Sequence, residues 1–206
     1  MVRSTLFTTQ TLIVITLGAA FMSTACTRPS KTGRLDLNEY RTALERTEQK
    51  ELIAPDSEAE RAALERFEEF YAVYSQDAIR EGVRDLYADD AWFGDPFHQV
   101  EGIDAIEHYF LVMAEPVEEC TFTVDDIQRS GMDYYARWTM YLTSKAAPRE
   151  PIEAIGMSHV RFNADGKILF QQDYWDTSAM LDRLPVVGFW TRLVKSRLEK
   201  RFEKEP

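Results

Sequence analysis

Few side chains in this sequence are placed to do acid–base chemistry. Asp95-x-x-His98 and Ser158-His159 each put an imidazole within three residues of an oxygen-bearing side chain. Brought together, they could serve as acid and base near neutral pH. Each group also has an ordinary reading. Asp95 precedes Pro96 and suits a turn-capping role. Either histidine suits a hydrogen-bonded place in a loop or on a sheet face. With three histidines in the chain and none paired at helical spacing, the residues do not point to a metal centre. Two cysteines make neither a zinc site nor a disulfide framework. Cys120 opens the alternating run Cys120-Thr-Phe-Thr-Val124 with no base nearby, so it reads as a small buried hydrophobe and not as a nucleophile.

Positioning these groups requires a core, and the composition supplies one. Of 206 residues, 12 are Phe, 9 Tyr and 4 Trp, enough to fill a core or line a pocket. The 24 basic and 35 acidic side chains leave a net charge of −11, which opposes phosphate binding and excludes a general nucleic-acid binder.

Ser57 and Glu60 have capping-box spacing, and Leu64, Phe67, Phe70, Tyr71 and Tyr74 follow at helical period. A second helix carries Ile79, Val83, Leu86 and Tyr87, and a third, starting after Gly102, carries Ile103, Ile106, Phe110 and Met113. Between them Ala91–Phe97 reads as a short strand stopped at Pro96. From Cys120 the period falls to two. Ala136, Trp138, Met140 and Leu142 make one apolar face, strands follow at 152–162 and 167–176, and Asn163-Ala-Asp-Gly166 makes the turn between them. Helices followed by antiparallel strands define an α+β fold.

The two ends differ from this middle. Arg3 is the only charge among the first 27 residues; the apolar run Leu12–Met22 follows it, then Ser23-Thr24-Ala25-Cys26. This reads as a signal peptide over residues 1–25, and the junction resembles a bacterial lipobox in which Cys26 is lipidated. An uncleaved anchor over residues 4–27 is the alternative, although eleven apolar residues are short for a membrane span. Export and lipid anchoring in the bacterial cell envelope are therefore expected. Residues 26–56 read as a tether with a weak helical stripe at Leu35, Leu37, Tyr40 and Leu44, lying on the domain or spacing it from the membrane. Residues 182–206 read as a basic amphipathic helix of net charge +3, against −15 for residues 26–181. Such a helix suits either a membrane surface or the acidic domain.

The segments Tyr87-Ala-Asp-Asp-Ala91, Gly94-Asp-Pro-Phe97, Gly102-x-x-Ala-Ile106, Val160-Arg-Phe162 and Asp165-Gly-Lys-Ile168 resemble the ketosteroid-isomerase-like, or nuclear-transport-factor-2-like, superfamily. It includes SnoaL-type polyketide cyclases, limonene epoxide hydrolases and scytalone dehydratase. The resemblance covers about residues 57–181. It implies a cone: a curved antiparallel sheet wrapped around three helices with a pocket open at one end, often in a homodimer. It also implies a base at Asp95 and an oxyanion donor at Tyr71. The position of the isomerases' third polar group falls on Ser158, which speaks against steroid isomerisation. Their inward tryptophan matches Trp175, and alternation then turns Asp173, Gln171 and Leu169 inward with it. By the same parity Arg161, Arg137 and His159 face outward, so the epoxide-hydrolase arrangement of two aspartates about an arginine is not reproduced.

The expectation is thus an apolar pocket lined by Phe110, Trp138, Met140, Ser158 and Trp175, holding a small apolar ligand without cofactor or metal. Asp95, Tyr71 and Asp173 or His98 would carry proton transfer of isomerase, dehydratase or cyclase type. The alternative is a non-catalytic module of the same fold that binds a small ligand or a protein.

Overall fold

The computed structural model describes residues 36–183 and 187–202. The expected signal peptide over residues 1–25, Cys26 and residues 27–35 of the expected tether lie outside the described residues.

Helix α1 (Leu37–Thr47) precedes α2 (Glu58–Ala72) and α3 (Gln76–Leu86). Ser57 caps α2 by accepting the Glu60 amide at 3.0 Å, while the Glu60 carboxylate reaches back one residue further than a capping box requires, to the Asp56 amide. Ala63, Phe67 and Tyr71 recur every four residues and form the buried face of α2; Ile79, Val83 and Leu86 do so for α3. Strand β1 (Tyr87–Gly94) follows α3 without a loop. It begins four residues before the sequence expectation and ends before Pro96, because the chain turns at Asp95, whose amide bonds the His98 carbonyl at 2.9 Å. Short β2 (Gln99–Glu101) returns along β1 and leads into α4 (Ile103–Ala114).

The rest of the sheet consists of β3 (Val117–Ser130), β4 (Asp133–Ser144), β5 (Ala147–Phe162) and β6 (Ile168–Trp175), in the order β2-β1-β6-β5-β4-β3. It is a curved, unclosed six-stranded sheet of α+β architecture. Its pairs are antiparallel except for β1 against β6, which run parallel. Register shifts at Val117/Glu119 and Val124/Asp126 mark bulges in β3, a device that bends a sheet. The β5–β6 turn falls at Asn163–Gly166. Gly166 has φ +76°, and a Cβ there would lie 2.9 Å from the Arg66 guanidinium and 3.1 Å from Ala63 Cβ.

The main core lies between the concave sheet face and α2, α3 and α4. Helix α1 packs on the convex face. Ala43, Tyr40 and Leu44 cover Trp92 and Phe170, whose rings stack at 4.9 Å. Arg161 Nη1 donates to the Leu44 carbonyl (3.0 Å) and to Thr47 Oγ1 (2.8 Å), which pins the helix down. The weak stripe in the tether is therefore a helix lying on the domain, with Leu37 exposed. At the C-terminus, α5 (Ser178–Leu181) and α6 (Val187–Phe202) stand in place of one helix over 182–206.

Candidate functional site

Period-two alternation of β4 turns Tyr134, Ala136, Trp138, Met140 and Leu142 inward, and that of β6 turns in Leu169, Gln171, Asp173 and Trp175. With the helices they enclose a cavity of about 940 Å³. Its wall is mostly apolar, built by Phe93, Phe110, Phe122, Trp138, Met140 and Trp175. Asp95, Asp173 and Tyr109 add the ionisable groups, and Tyr71 also reaches the lining. Arg183, Arg192 and Glu150 are exposed, and they line the end where the cavity meets solvent.

Asp95 is both a turn cap and a cavity residue. Its Oδ1 accepts the amides of Phe97 and His98, each at 2.8 Å, and its Oδ2 accepts the Tyr109 hydroxyl at 2.7 Å. Burial raises its pKa, and the hydroxyl and two amides pull the other way. The turn uses the backbone of His98. Its ring is exposed, packs on Tyr109 with centroids 5.7 Å apart, and is not part of the cavity lining. The expected convergence of His98 with Asp95 as side-chain acid and base is thus not present. The physical reason is the Asx-type turn, which directs the His98 amide at the carboxylate and the ring outward.

Asp173 sits deeper. Ser158 Oγ donates to its Oδ1 at 2.6 Å and Gln171 Nε2 to the same oxygen at 2.9 Å. Burial raises its pKa to about 7; these two bonds oppose the shift and the nearby Asp95 charge adds to it. Both donors meet at one oxygen, so Oδ2 is the natural place for the proton. Ser158 itself is buried beneath Asp173. It accepts the Trp138 indole N–H at 2.9 Å and lines a small void next to the main cavity. It supports the cavity floor and is not part of the main wall.

Tyr71 holds a different place from the oxyanion donor implied by the resemblance. Tyr87 donates to Gln171 Oε1 at 2.7 Å, so the 2.7 Å contact between the two phenols is donated by Tyr71. Gln171 Nε2 donates back to Tyr71 Oη at 3.0 Å. The Tyr71 proton is thereby spent inside a closed network, and burial, then the Asp173 charge, raise its pKa further. The network orients Gln171, which in turn holds Asp173.

Sequence reasoning missed Tyr109, Tyr87 and Gly156. Tyr109 lies three residues after Ile106, at helical spacing and within reach of that reading. Gly156 pairs with Trp138 across the sheet, and a Cβ there would lie 2.3 Å from the indole. The outward groups follow parity. His159 bonds Asp133 at 2.7 Å and stacks on Tyr135, Arg161 pairs with Asp133, and Arg137 with Asp125 at 3.1 Å. Burial lowers the pKa of His159. Cys120 is buried at the cavity wall with its thiol pushed up to about 12, which makes it inert. Among the described residues no group of three or more His, Cys, Asp or Glu side chains is arranged to hold a metal ion.

A curved sheet folded over three helices, with a polar floor at one end of an apolar cone, defines the class. The family model of the SnoaL-like domain matches residues 67–170, and the chain belongs to that family. Among solved structures it is similar to a protein of ketosteroid isomerase-like fold from Catenulispora acidiphila DSM 44928, in complex with trimethylamine. That match has 18% identity, TM-score 0.50, and coverage of 58% of this chain and 88% of that one. It is also similar to an LEH-like epoxide hydrolase of M. tuberculosis, at 18% identity and TM-score 0.50, over 68% of this chain and 99% of that one. At such identities the likeness is one of fold. No curated protein sequence matches the chain.

Proposed function

We propose that the cone binds a small apolar molecule and moves a proton on it, in a reaction of isomerase, dehydratase or cyclase type. The observation that carries this reading is the pair of carboxylates lining one apolar cavity in unlike surroundings. Burial raises the pKa of both, but Asp95 is held by three donors that favour its charged form, whereas Asp173 is brought to about 7. Two acids whose surroundings differ in this way suit the roles of base and acid. Asp95 acts as the base, and Asp173 takes the donor role that the sequence suggested for Tyr71. Tyr71 and Ser158 are positioning residues.

Deuterium exchange at the carbon next to the carbonyl of a small cyclic ketone tests the reading. The protein should accelerate the exchange, and Asp95→Asn should abolish it while the ketone still quenches the tryptophans at the cavity. Binding with exchange no faster than in Asp95→Asn would leave the cone as a non-catalytic binding module. The turn-capping work of Asp95 favours that second reading.

We further infer a lipid anchor at Cys26 in the bacterial envelope, supported by the apolar run ending in Ser-Thr-Ala-Cys. Cys26→Ala should abolish labelling by a clickable palmitate. A homodimer through the uncovered convex sheet face belongs to the same reading, because Tyr141, Ile155, Met157 and Tyr174 are exposed there.

A further inference from the structure

Helix α6 is attached by its polar side. Lys195 Nζ donates to Ser178 Oγ at 2.9 Å and to Asp182 Oδ2 at 2.7 Å, and Thr191 Oγ1 and Arg192 also bond Asp182. At about 100° per residue, Phe189 and Trp190 point away from Thr191 and Lys195, while Val194 lies on the flank about 60° from Thr191. They are 57, 59 and 55% exposed. A surface helix of a soluble domain ordinarily does the reverse, with its apolar stripe inward and its charges outward.

We propose that α6 is an interfacial helix that lays Phe189, Trp190 and Val194 into the surface of an anionic bilayer. Charge selects the occupant. Arg192 and Arg197 are exposed beside the apolar face, and the segment 182–206 carries +3 on a chain whose net charge is −11. The rest of the chain is acidic on balance, and its net charge is repelled by anionic lipid. Size argues in the same direction. Each aromatic side chain offers about 150–250 Å², and Phe189, Trp190 and Val194 are little more than half exposed, so together they fall short of the roughly 500 Å² per partner that a stable protein interface needs. Burial to the depth of the headgroup boundary requires no such area, and an indole is suited to that boundary. Among the described residues no helix is long and apolar enough to cross a membrane, so the attachment is along the surface. Asp182 and Arg192 also line the cavity, and the bound helix would hold the open end of the cone beside lipid.

The N-terminal segment could carry the full chain to vesicles by itself, so the test must report on α6 alone. Trp190 provides the signal, because Trp92 and Trp138 are buried and Trp175 is half-buried at the cavity wall, packed on Phe97, and its share is what remains in Trp190→Phe. Phosphatidylglycerol vesicles with brominated acyl chains should quench the fluorescence of the full chain. Trp190→Phe should remove that quenching. Arg197→Glu should shift the lipid dependence by about tenfold or more, and added salt should shift it in the same direction. Quenching unchanged by Trp190→Phe would overturn the proposal, as would its absence on vesicles to which the chain is bound. A lipid-independent blue shift of Trp190 with doubled mass in sedimentation would assign the face to a second copy instead. All the substituted side chains are exposed, and an unaltered near-ultraviolet dichroism outside the Trp190 contribution confirms the fold.

Discussion

Ser158 stands directly opposite Asp173 across the β5–β6 ladder and donates its hydroxyl to Asp173 Oδ1 at 2.6 Å. Strand register therefore places a neutral donor on the cavity acid, and that bond opposes the rise in pKa that burial causes. A carboxyl whose folded pKa is about 7 costs stability only where it must ionise. The unfolded value is about 3.9. The contribution of Asp173 is hence neutral below about pH 4, turns unfavourable as pH rises from about 4 to 7, and is constant above.

Asp173→Asn should remove that cost. The Asn carbonyl can accept the Ser158 and Gln171 bonds, and its amide takes the place of the acid proton. The variant should be more stable by about 2–4 kcal/mol at about pH 8 and no more stable at about pH 4. Proton-transfer activity should fall at both. Urea unfolding at the two pH values checks the difference, and equal gains at both would refute a buried neutral acid.

Ser158→Ala deletes the donor to Asp173 and the acceptor of the Trp138 N–H. Leaving a buried indole N–H unpaired should cost about 1–3 kcal/mol. Carboxyl-carbon NMR should also show Asp173 titrating higher than in the wild type, because a bond favouring its ionised form is gone. An unmoved titration would mean that the hydroxyl does not govern the acid.

Two of the cavity tyrosines, Tyr71 and Tyr109, should separate cleanly. Tyr71→Phe breaks the Tyr71–Tyr87–Gln171 network and should cost about 1–3 kcal/mol of stability, with a smaller effect on chemistry than Asp95→Asn. Tyr109→Phe removes the hydroxyl bonded to Asp95 Oδ2. The Asp95 pKa should rise, and the acid limb of the exchange rate should move to higher pH. A limb that stays in place would exclude Asp95 as the base.

Alternation makes the faces of the sheet legible in the order of the residues. Once the family resemblance places Trp175 and Ser158 inward and the apolar face of β4 places Trp138, period two assigns the inward set of Asp173 and Gln171 and the outward set of His159, Arg161 and Arg137, because a strand offers each side chain only one of two directions. The start of β1 is not legible in this way, because Tyr87 continues the apolar spacing of Ile79, Val83 and Leu86 while already paired to Ile168. Nor is the docking of α1. Its anchors are a guanidinium 117 residues away and a patch shared by Trp92 and Phe170, neither of which leaves a local signal. The direction of the Tyr71 proton depends on the orientation of one amide, Gln171, and spacing carries no such information.

On the convex face Ile155 is 73% exposed, with Met157 and Tyr174 beside it. If this face joins two copies, Ile155→Asp should leave the monomer as stable as the parent and abolish dimerisation. Sedimentation over a range of concentrations checks this. A parent chain that stays monomeric throughout, with the C-terminal helix free of lipid, would remove the dimer from the reading.

Gly156 is the most exacting position in the cavity floor. It pairs with Trp138 on β4 and with Trp175 on β6, and the Trp138 ring lies across it. A Cβ at this position would stand 2.3 Å from Cη2 and 2.4 Å from Cζ2 of that indole, closer than any two carbons can approach without bonding. The ring is held by its N–H bond to Ser158, so it cannot swing aside without orphaning that donor. Gly156→Ala therefore has two outcomes, and both can be measured. Either strain costs about 1–3 kcal/mol with the cavity unchanged, or Trp138 moves into the cavity and ligand affinity falls with a smaller loss of stability. The double variant Gly156→Ala/Trp138→Phe separates them. The smaller ring should restore binding in the second case, and in the first it should recover stability without changing affinity. A single variant as stable as the parent, binding the same ketone equally well, would show that the floor of the cone is not packed as described.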